Sequence, residues 1–187
     1  FVLISKQKKV VTNYIKKKLS KKNNIYFYGK DFKVNDIKNK NFEFNFNKKI
    51  KLINKPRMFG LHQIENASVA LAFSEIMKKN NLQLNFKSID KAIKETFWPG
   101  RIEIIKYNYK KIILDGSHNI DGAIKLNDFL QTNKIKPITI FGMLNNKKIE
   151  MFLKTIKNQI SLLLAIKIPN EKNAYTSQDI TDICKLL

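Results

Sequence analysis

Residues 111–123 constrain the fold of this chain more than any other stretch. An apolar run over residues 112–114 is typical of a buried strand, and polar or flexible residues follow it from Asp115 to Asn119. A helical pattern then begins at Gly122. In open α/β sheets, ligands bind where a strand ends in a polar loop that leads into a helix. The stretch therefore predicts an α/β fold with a ligand site at the carboxyl end of this strand.

Strand and helix patterns alternate along the rest of the chain. In the first half, the apolar spacing predicts strands over residues 1–5, 25–28, 41–47 and 49–53, and helices over residues 7–19, 61–79 and 87–97. In the second half it predicts strands over 102–107, 111–114, 138–141 and 162–168, and helices over 122–131, 149–160 and 176–187. Ser88 is the predicted cap of the helix over 87–97, and Asn80 and Asn81 end the helix before it. This alternation indicates right-handed βαβ units and a mostly parallel sheet.

Composition limits the classes of function. The chain of 187 residues carries a net charge of +21, yet only Arg57 and Arg101 are arginines, the usual readers of base edges. Nucleic acid is therefore not the expected partner, and the charge favours smaller anions such as nucleotides or polycarboxylates. The single cysteine excludes an internal disulfide, and no apolar run approaches the roughly 20 residues of a membrane helix. We expect a cytoplasmic protein, and the absence of an initiator methionine indicates part of a longer one.

Four elements of the sequence contain residue types that commonly bind ligands or take part in catalysis. The first is Asp115 with His118, at the predicted strand end. The second is Arg101, the third is the polar run over residues 62–66 at a helix start, and the fourth is Gly142 after the next parallel strand. Arginine binds phosphate oxygens through a planar fork, and an aspartate at such a strand end can accept hydrogen bonds from ribose hydroxyls. Together they indicate a nucleotide site.

Each of these residues also has a structural interpretation. Asp115 could cap a helix or form a turn, and Arg101 could form a salt bridge between domains. His118 taken alone is more typical of a structural histidine, and His62 of one that packs at a helix start. Asn66 is unfavourable within a helix, which indicates a further role. No metal-ligand cluster, nucleophile elbow or Walker A loop is present.

A domain boundary is predicted at the sequence Trp98-Pro99-Gly100. Proline and glycine end the preceding helix, and the strand pattern resumes directly after them. The chain then divides into residues 1–97 and 98–187.

Several motifs together resemble one known family. They read Leu-His-Gln-Ile-Glu-Asn-Ala over residues 61–67, Trp-Pro-Gly-Arg-Ile-Glu over 98–103, Leu-Asp-Gly-Ser-His-Asn over 114–119 and Gly-Met-Leu over 142–144. In order and separation they resemble the folylpolyglutamate synthase/dihydrofolate synthase family, which belongs to the Mur-type ATP-dependent amide ligases.

The resemblance implies a domain plan and an activity. Residues 1–97 would be the end of a P-loop central ATPase domain, and residues 98–187 a slightly truncated, smaller Rossmann-like C-terminal domain. The enzyme would add L-glutamate to dihydropteroate or folate through an acyl phosphate, as a monomer that uses ATP and Mg²⁺. Whether it adds the first glutamate, extends the chain or does both stays open.

The resemblance also implies roles for individual residues. Asn66 would contact the adenine end of ATP, and Arg101 its phosphates. Asp115 and His118 would face the nucleotide and the incoming glutamate, with Ser117 helping to position the glutamate. No protein nucleophile is expected. The Gly-rich phosphate loop and the Mg²⁺ ligands would lie upstream of Phe1, so the chain alone is not expected to be a competent ligase.

The chain departs from the family pattern at several positions. Ser117 stands where the family has alanine, Ile120 where it has proline, and Asn146 and Lys148 where it has acidic residues. Two other functions stay open at this point: a Mur-type ligase acting on a cell-wall precursor, and a basic module that binds nucleic acid through its lysines.

Overall fold

A computed structural model describes residues 1–80 and 82–187. It divides into two compact units, Phe1–Trp98 and Pro99–Leu187. Asn81, one of the two predicted helix-ending residues, lies outside the described residues. None of the helices in the described parts of the chain is both long and apolar enough to cross a membrane.

The first unit contains five strands and three helices within its described residues. In chain order they are β1 (Val2–Ile4), α1 (Lys9–Lys18), β2 (Ile25–Phe27), β3 (Phe32–Asn35), β4 (Asn41–Phe46), β5 (Lys49–Asn54), α2 (Leu61–Lys79) and α3 (Phe86–Glu95). Strands β1 and β2 pair in parallel on either side of α1, as a βαβ unit requires. Strands β3, β4 and β5 form an antiparallel sheet in that order.

The alternation in β4 places its phenylalanines in the core of the first unit. Phe42, Phe44 and Phe46 are all buried, with Phe42 completely so at 0% exposure. They belong to one apolar cluster with Ile64 and Leu71 of α2. Residues at alternate positions point to one face of a strand, so the predicted half-buried strand is confirmed.

Two carboxylates join the helices of this unit to β5. Asp90 on α3 accepts hydrogen bonds from the Asn54 main-chain N–H at 2.8 Å and from its side-chain Nδ2 at 2.6 Å. Glu75 on α2 pairs with Lys51 at 2.7 Å. Both carboxylates bind groups on the neighbouring strand, so their contacts hold one element against another.

The structure differs from the sequence prediction at three places in the first unit. Strand β3 was not predicted. Ser88 is not the cap of α3, because Asn85 accepts a hydrogen bond from the Lys87 N–H at 2.9 Å and the helix begins at Phe86. The helix begins early because Phe86 packs against the core. Helix α3 also ends at Glu95, earlier than the predicted end at residue 97. Trp98, the last residue of the unit, lies beyond the helix and is 65% exposed.

The second unit contains four strands, three α-helices and one 3₁₀ turn. In chain order they are β6 (Glu103–Tyr107), β7 (Lys110–Leu114), α4 (Ile120–Thr132), β8 (Ile138–Phe141), α5 (Ile149–Ile156), the 3₁₀ turn Lys157–Gln159, β9 (Leu162–Ala165) and α6 (Ser177–Lys185). Strands β6 and β7 form an antiparallel hairpin because their connection is too short for a crossover. Strands β8 and β9 pair in parallel across α5. The predicted α/β class is confirmed.

The core of the second unit lies where its helices meet the β8–β9 sheet. Phe141 of β8 lies in one apolar cluster with Phe152 and Ile156 of α5 and Ile180 of α6. Strand β9 ends at Ala165, earlier than predicted, although Ile166 still donates its N–H to the Phe141 carbonyl at 2.9 Å. The sheet therefore places the ends of β8 and β9 side by side.

Candidate functional site

The polar run at the start of α2 forms a chain of side chains. Asn66 Nδ2 donates to Gln63 Oε1 at 3.2 Å, and Gln63 Nε2 lies 3.1 Å from His62 Nε2. Gln63 is buried, whereas Asn66 is exposed. The first turn of α2 therefore fixes His62 and Gln63 and leaves the amide of Asn66 at the surface, with its oxygen available to accept a hydrogen bond.

Gly60 makes room for this arrangement. Its φ of +105° is in a region that other residues rarely adopt, and a Cβ there would lie 2.6 Å from the His62 ring. Glycine is thus required both by the turn that begins α2 and by the position of the histidine.

In the second unit, Asp115 joins two loops through its carboxylate. Oδ2 accepts a hydrogen bond from the Ile102 N–H at 3.0 Å, and Oδ1 accepts one from the Ser117 N–H at 3.0 Å. The Gly116 N–H donates to the Gly100 carbonyl at 2.7 Å, which adds a second link between the two loops. Asp115 therefore has the turn-forming role that was considered for it, and it brings Arg101 close to the loop that carries His118.

The backbone on both sides of Arg101 is left-handed. The φ angle is +69° at Gly100 and +50° at Ile102. Glycine adopts this conformation without strain, but a β-branched residue such as isoleucine does so rarely. The Gly100 N–H donates to Glu103 Oε2 at 2.9 Å, so a carboxylate holds the loop on this side as well.

Arg101 is exposed at the tip of this loop. Neither a hydrogen bond nor an ion pair from its guanidinium occurs among the described residues, although Glu103 and Asp115 bind the main chain on either side of it. A cation held in this way can bind an anion without first breaking an internal ion pair.

The loop before α4 presents His118 and Ser117. His118 Nδ1 lies 3.0 Å from the Gly116 carbonyl, which only accepts, so the contact requires a hydrogen on Nδ1. In the neutral ring the exposed Nε2 is then an acceptor. A Cβ on Gly122 would lie 2.8 Å from both Cβ and Oγ of Ser117, so glycine at this helical position lets Ser117 pack against α4.

Asn119 begins α4 as its cap. Its Oδ1 accepts a hydrogen bond from the Gly122 N–H at 2.8 Å, and the helix starts at Ile120. The helix therefore begins directly after the loop that carries Ser117 and His118.

Gly142, the fourth predicted element, has a packing role. A Cβ there would lie 3.0 Å from the Ile166 carbonyl oxygen, so glycine allows the chain after β9 to approach the end of β8. The next residue, Met143, is buried and accepts a hydrogen bond from the Tyr175 N–H at 2.9 Å. These contacts account for Gly142 and Met143 through packing within the second unit.

Four residues on the two linked loops were predicted as site residues from the sequence, whereas Glu103 was not. The structure places Arg101, Asp115, Ser117 and His118 on two linked loops of the second unit, whereas Asn66 belongs to the first unit. Glu103 could have been recognised from its position three residues after the glycine of the Pro-Gly turn, where an acidic side chain can bind back to the turn. Within the described residues, no group of three or more potential metal ligands occurs.

Folylpolyglutamate synthases are among the proteins that are similar to this chain in sequence and in structure. No protein-family profile matches the chain. The dihydrofolate synthase/folylpolyglutamate synthase of Bacillus subtilis is 24% identical over 103 residues, which cover 54% of this chain and 24% of that protein. The folylpolyglutamate synthase of Thermotoga maritima has the same fold, with a TM-score of 0.77 and 26% identity over 98% of this chain. The chain is similar to folylpolyglutamate synthases in sequence and in fold.

A third comparison supports the fold alone. The folylpolyglutamate synthase of Mycobacterium tuberculosis superposes with a TM-score of 0.82 at 17% identity, again over 98% of this chain. The family resemblance predicted from the motifs is thus confirmed. The chain spans less than half the length of these relatives, namely 44% of the Thermotoga protein and 42% of the Mycobacterium protein, and it matches their carboxyl-terminal part.

Proposed function

We propose that this chain is part of an ATP-dependent amide ligase that joins L-glutamate to dihydropteroate or folate. The observation that carries the proposal is Arg101, an exposed guanidinium without a partner among the described residues, on a loop that is bonded to the Asp115 turn. The fold that holds these loops is the fold of the folylpolyglutamate synthases. In this reading residues 1–97 end the central domain and residues 98–187 form most of the C-terminal domain.

The ligands of similar proteins support the choice of substrates. A bifunctional folylpolyglutamate/dihydrofolate synthase of similar fold was solved with Mn, AMPPNP and L-glutamate bound. FolC of E. coli was solved with ADP and DHPP. We propose that the enzyme to which this chain belongs binds a nucleotide, a divalent cation, glutamate and a dihydropteroate or folate.

The residues of this chain suit the nucleotide and the glutamate but not the metal. Arg101 would bind phosphate oxygens, and Asn66 would offer its exposed amide to the adenine. The main chain around Asp115 and the side chains of Ser117 and His118 would face the nucleotide and the glutamate. The described residues contain no acidic cluster for Mg²⁺. We place the metal ligands in another part of the enzyme.

The chemistry asked of this chain is positioning and charge compensation. ATP, when bound, supplies the phosphoryl group that activates the substrate carboxylate. The Arg101 guanidinium would lie against the phosphate oxygens and stabilise the negative charge that they carry. His118, with its hydrogen on Nδ1, would offer Nε2 as an acceptor to the ammonium group of glutamate. Holding the amine and the activated acid close together accelerates amide formation without a protein nucleophile.

A fusion protein tests this proposal. In it, the chain replaces the matched part of the Thermotoga enzyme, and ATP-dependent incorporation of labelled glutamate into dihydropteroate and into folate is measured. Incorporation is expected, and Arg101→Ala should lower it about 100-fold or more, as the loss of a bidentate phosphate contact would.

Arg57→Ala is the matched control, because Arg57 is the other arginine of the chain and its guanidinium carbon lies 5.5 Å from the centre of the Phe97 ring. It should keep turnover within about threefold, a change of under about 1 kcal/mol. If Arg101→Ala behaves like Arg57→Ala in an active fusion, Arg101 does not bind phosphate.

A further inference from the structure

Two carboxylates bind the main chain on either side of Arg101 but do not bind its guanidinium. Glu103 accepts the N–H of Gly100, the residue before Arg101, and Asp115 accepts the N–H of Ile102, the residue after it. The two bonds are 2.9 and 3.0 Å long. Both acidic groups are thus bonded to main-chain donors, and the Arg101 guanidinium has no partner among the described residues.

The conformation of this loop needs such support. A left-handed backbone is strained for an L-residue, most of all for a β-branched one, and Ile102 adopts it with a φ of +50°. Strained residues persist only where the surrounding structure holds them. For Ile102 the observed support is the Asp115 carboxylate, which also binds the Ser117 N–H and so fixes the loop to the turn before α4.

The same bonds have an electrostatic consequence. A carboxylate close to an arginine would normally pair with it and compete with an anionic ligand. Here the carboxylate oxygens accept main-chain N–H groups instead. The main chain that carries Arg101 is therefore fixed by groups that leave the donors of the guanidinium available.

We propose that Glu103 and Asp115 are positioning residues that hold Arg101 for its anionic ligand by binding the main chain on both sides of it. The proposal rests on the proposed function, in which that ligand is the phosphate chain of a nucleotide. It gives Glu103 a role in the site, and it assigns Asp115 an action through Arg101 rather than through direct contact with the nucleotide.

The test is a set of double-mutant cycles on the affinity of the fusion protein for ADP, measured by calorimetry. Glu103→Ala and Asp115→Asn should each weaken ADP binding about tenfold. Glu103→Ala removes the acceptor for the Gly100 N–H, and Asp115→Asn leaves one carbonyl oxygen for the two N–H groups that the carboxylate accepts. Glu103→Gln keeps a single acceptor and should stay within about twofold of the unchanged protein. In an Arg101→Ala background, both Glu103→Ala and Asp115→Asn should change the affinity less than about twofold.

A second measurement does not depend on the ligand. Amide hydrogen exchange in the chain itself should accelerate about tenfold or more at Gly100 in Glu103→Ala and at Ile102 or Ser117 in Asp115→Asn, where one of the two N–H groups loses its acceptor. Glu103→Gln should leave Gly100 protected. Unchanged exchange in the two loss variants would show that the carboxylates do not hold the loop.

The outcomes separate this inference from the proposed function. If Asp115→Asn still costs about tenfold in the Arg101→Ala background, Asp115 contacts the nucleotide directly and the positioning role is wrong. If Arg101→Ala itself leaves ADP affinity unchanged, the proposed phosphate role fails. The exchange measurement still decides whether Glu103 and Asp115 hold the loop.

Discussion

Helices α2 and α4 both begin with residues of the candidate site, but they begin in different ways. At α2 the residue before the helix is Gly60, which offers no side-chain cap, and the polar side chains bind one another from His62 to Asn66. At α4 a capping asparagine starts the helix, and carboxylates fix the preceding loops through main-chain N–H groups. The first segment thus depends on its own side chains, whereas the second depends on the conformation of its loops.

This difference indicates how each segment tolerates change. A segment held by side chains is disturbed when a neighbouring atom displaces one of them. A segment held by main-chain bonds is disturbed when the backbone or its acceptors change. In both segments a glycine leaves space for a site residue, so the glycines offer the sharpest comparison.

The largest effect is expected for Gly60→Ala. Alanine would have to adopt a φ of +105°, and its Cβ would lie 2.6 Å from the His62 ring. The backbone strain alone costs roughly 1–3 kcal/mol, and the displaced ring would lose its contact with Gln63. We expect a loss of about 2–3 kcal/mol in the free energy of unfolding, measured with urea. Gly29→Ala has a similar φ of +87° but open space around it, and it should cost clearly less.

Gly122→Ala tests the second segment, with a smaller expected loss of about 1–2 kcal/mol. Alanine favours a helix by about 1 kcal/mol over glycine, but its Cβ would lie 2.8 Å from Ser117, and overpacking costs roughly 1–3 kcal/mol. Ser117→Gly added to Gly122→Ala should recover the stability to within about 0.5 kcal/mol. Ser117→Ala keeps the conflicting Cβ and should not recover it. Equal behaviour of the two double variants would show that Ser117 does not need the space above Gly122.

Asn119→Ala should cost about 1 kcal/mol, because it removes the acceptor for the Gly122 N–H at the start of α4. The matched control is Asn85→Ala at α3, where the side chain also caps a helix but no site residue is adjacent. Both variants should lose similar stability in urea unfolding. Only Asn119→Ala should also weaken ADP binding in the fusion protein, and a loss of affinity in both would argue against a local effect on the loop.

The smallest effect is expected for the pH dependence of the first unit. Burial opposes the charge of Glu75, but the hydrogen bond from Lys51 and the charges of Lys51 and Lys78 outweigh it and lower the pKa of the carboxyl group. Its contribution to stability is therefore present above the ordinary carboxyl pKa, roughly 4.3, and is lost as the pH falls through the lower pKa of the folded state. Glu75→Gln should remove this part of the acid sensitivity, below about 1 kcal/mol, in urea unfolding measured from pH 7 to pH 3.

Patterns of apolar residues predicted most of the fold. The alternation in β4 and the spacing in α2 are strong because each element buries one face, and α2 has the predicted bounds Leu61–Lys79. Strand β3 was not predicted, because its four residues follow a turn and contain only two apolar positions. Ser88 was a reasonable cap by type, but the packing of Phe86 moved the start of α3 to a point that only the folded core determines.

The site was predicted in its residue types but not in its connections. Asp115 and His118 were recognised as a pair because they share one loop, and Arg101 because arginine binds phosphates. The bond from Ile102 to Asp115 joins residues that are distant in the sequence, and it depends on a left-handed backbone at an isoleucine, which no propensity would suggest. Glu103 was missed for the same reason, since its carboxylate binds a main-chain group rather than a ligand.

Trp98 gives the chain a natural optical reporter. It is the single tryptophan, it is 65% exposed, and a few residues along the chain separate it from Arg101. An exposed indole emits at long wavelength and is readily quenched by soluble ions, so its fluorescence should change when a ligand or a neighbouring domain covers it. Titrations of the chain can therefore be followed by emission without any added label.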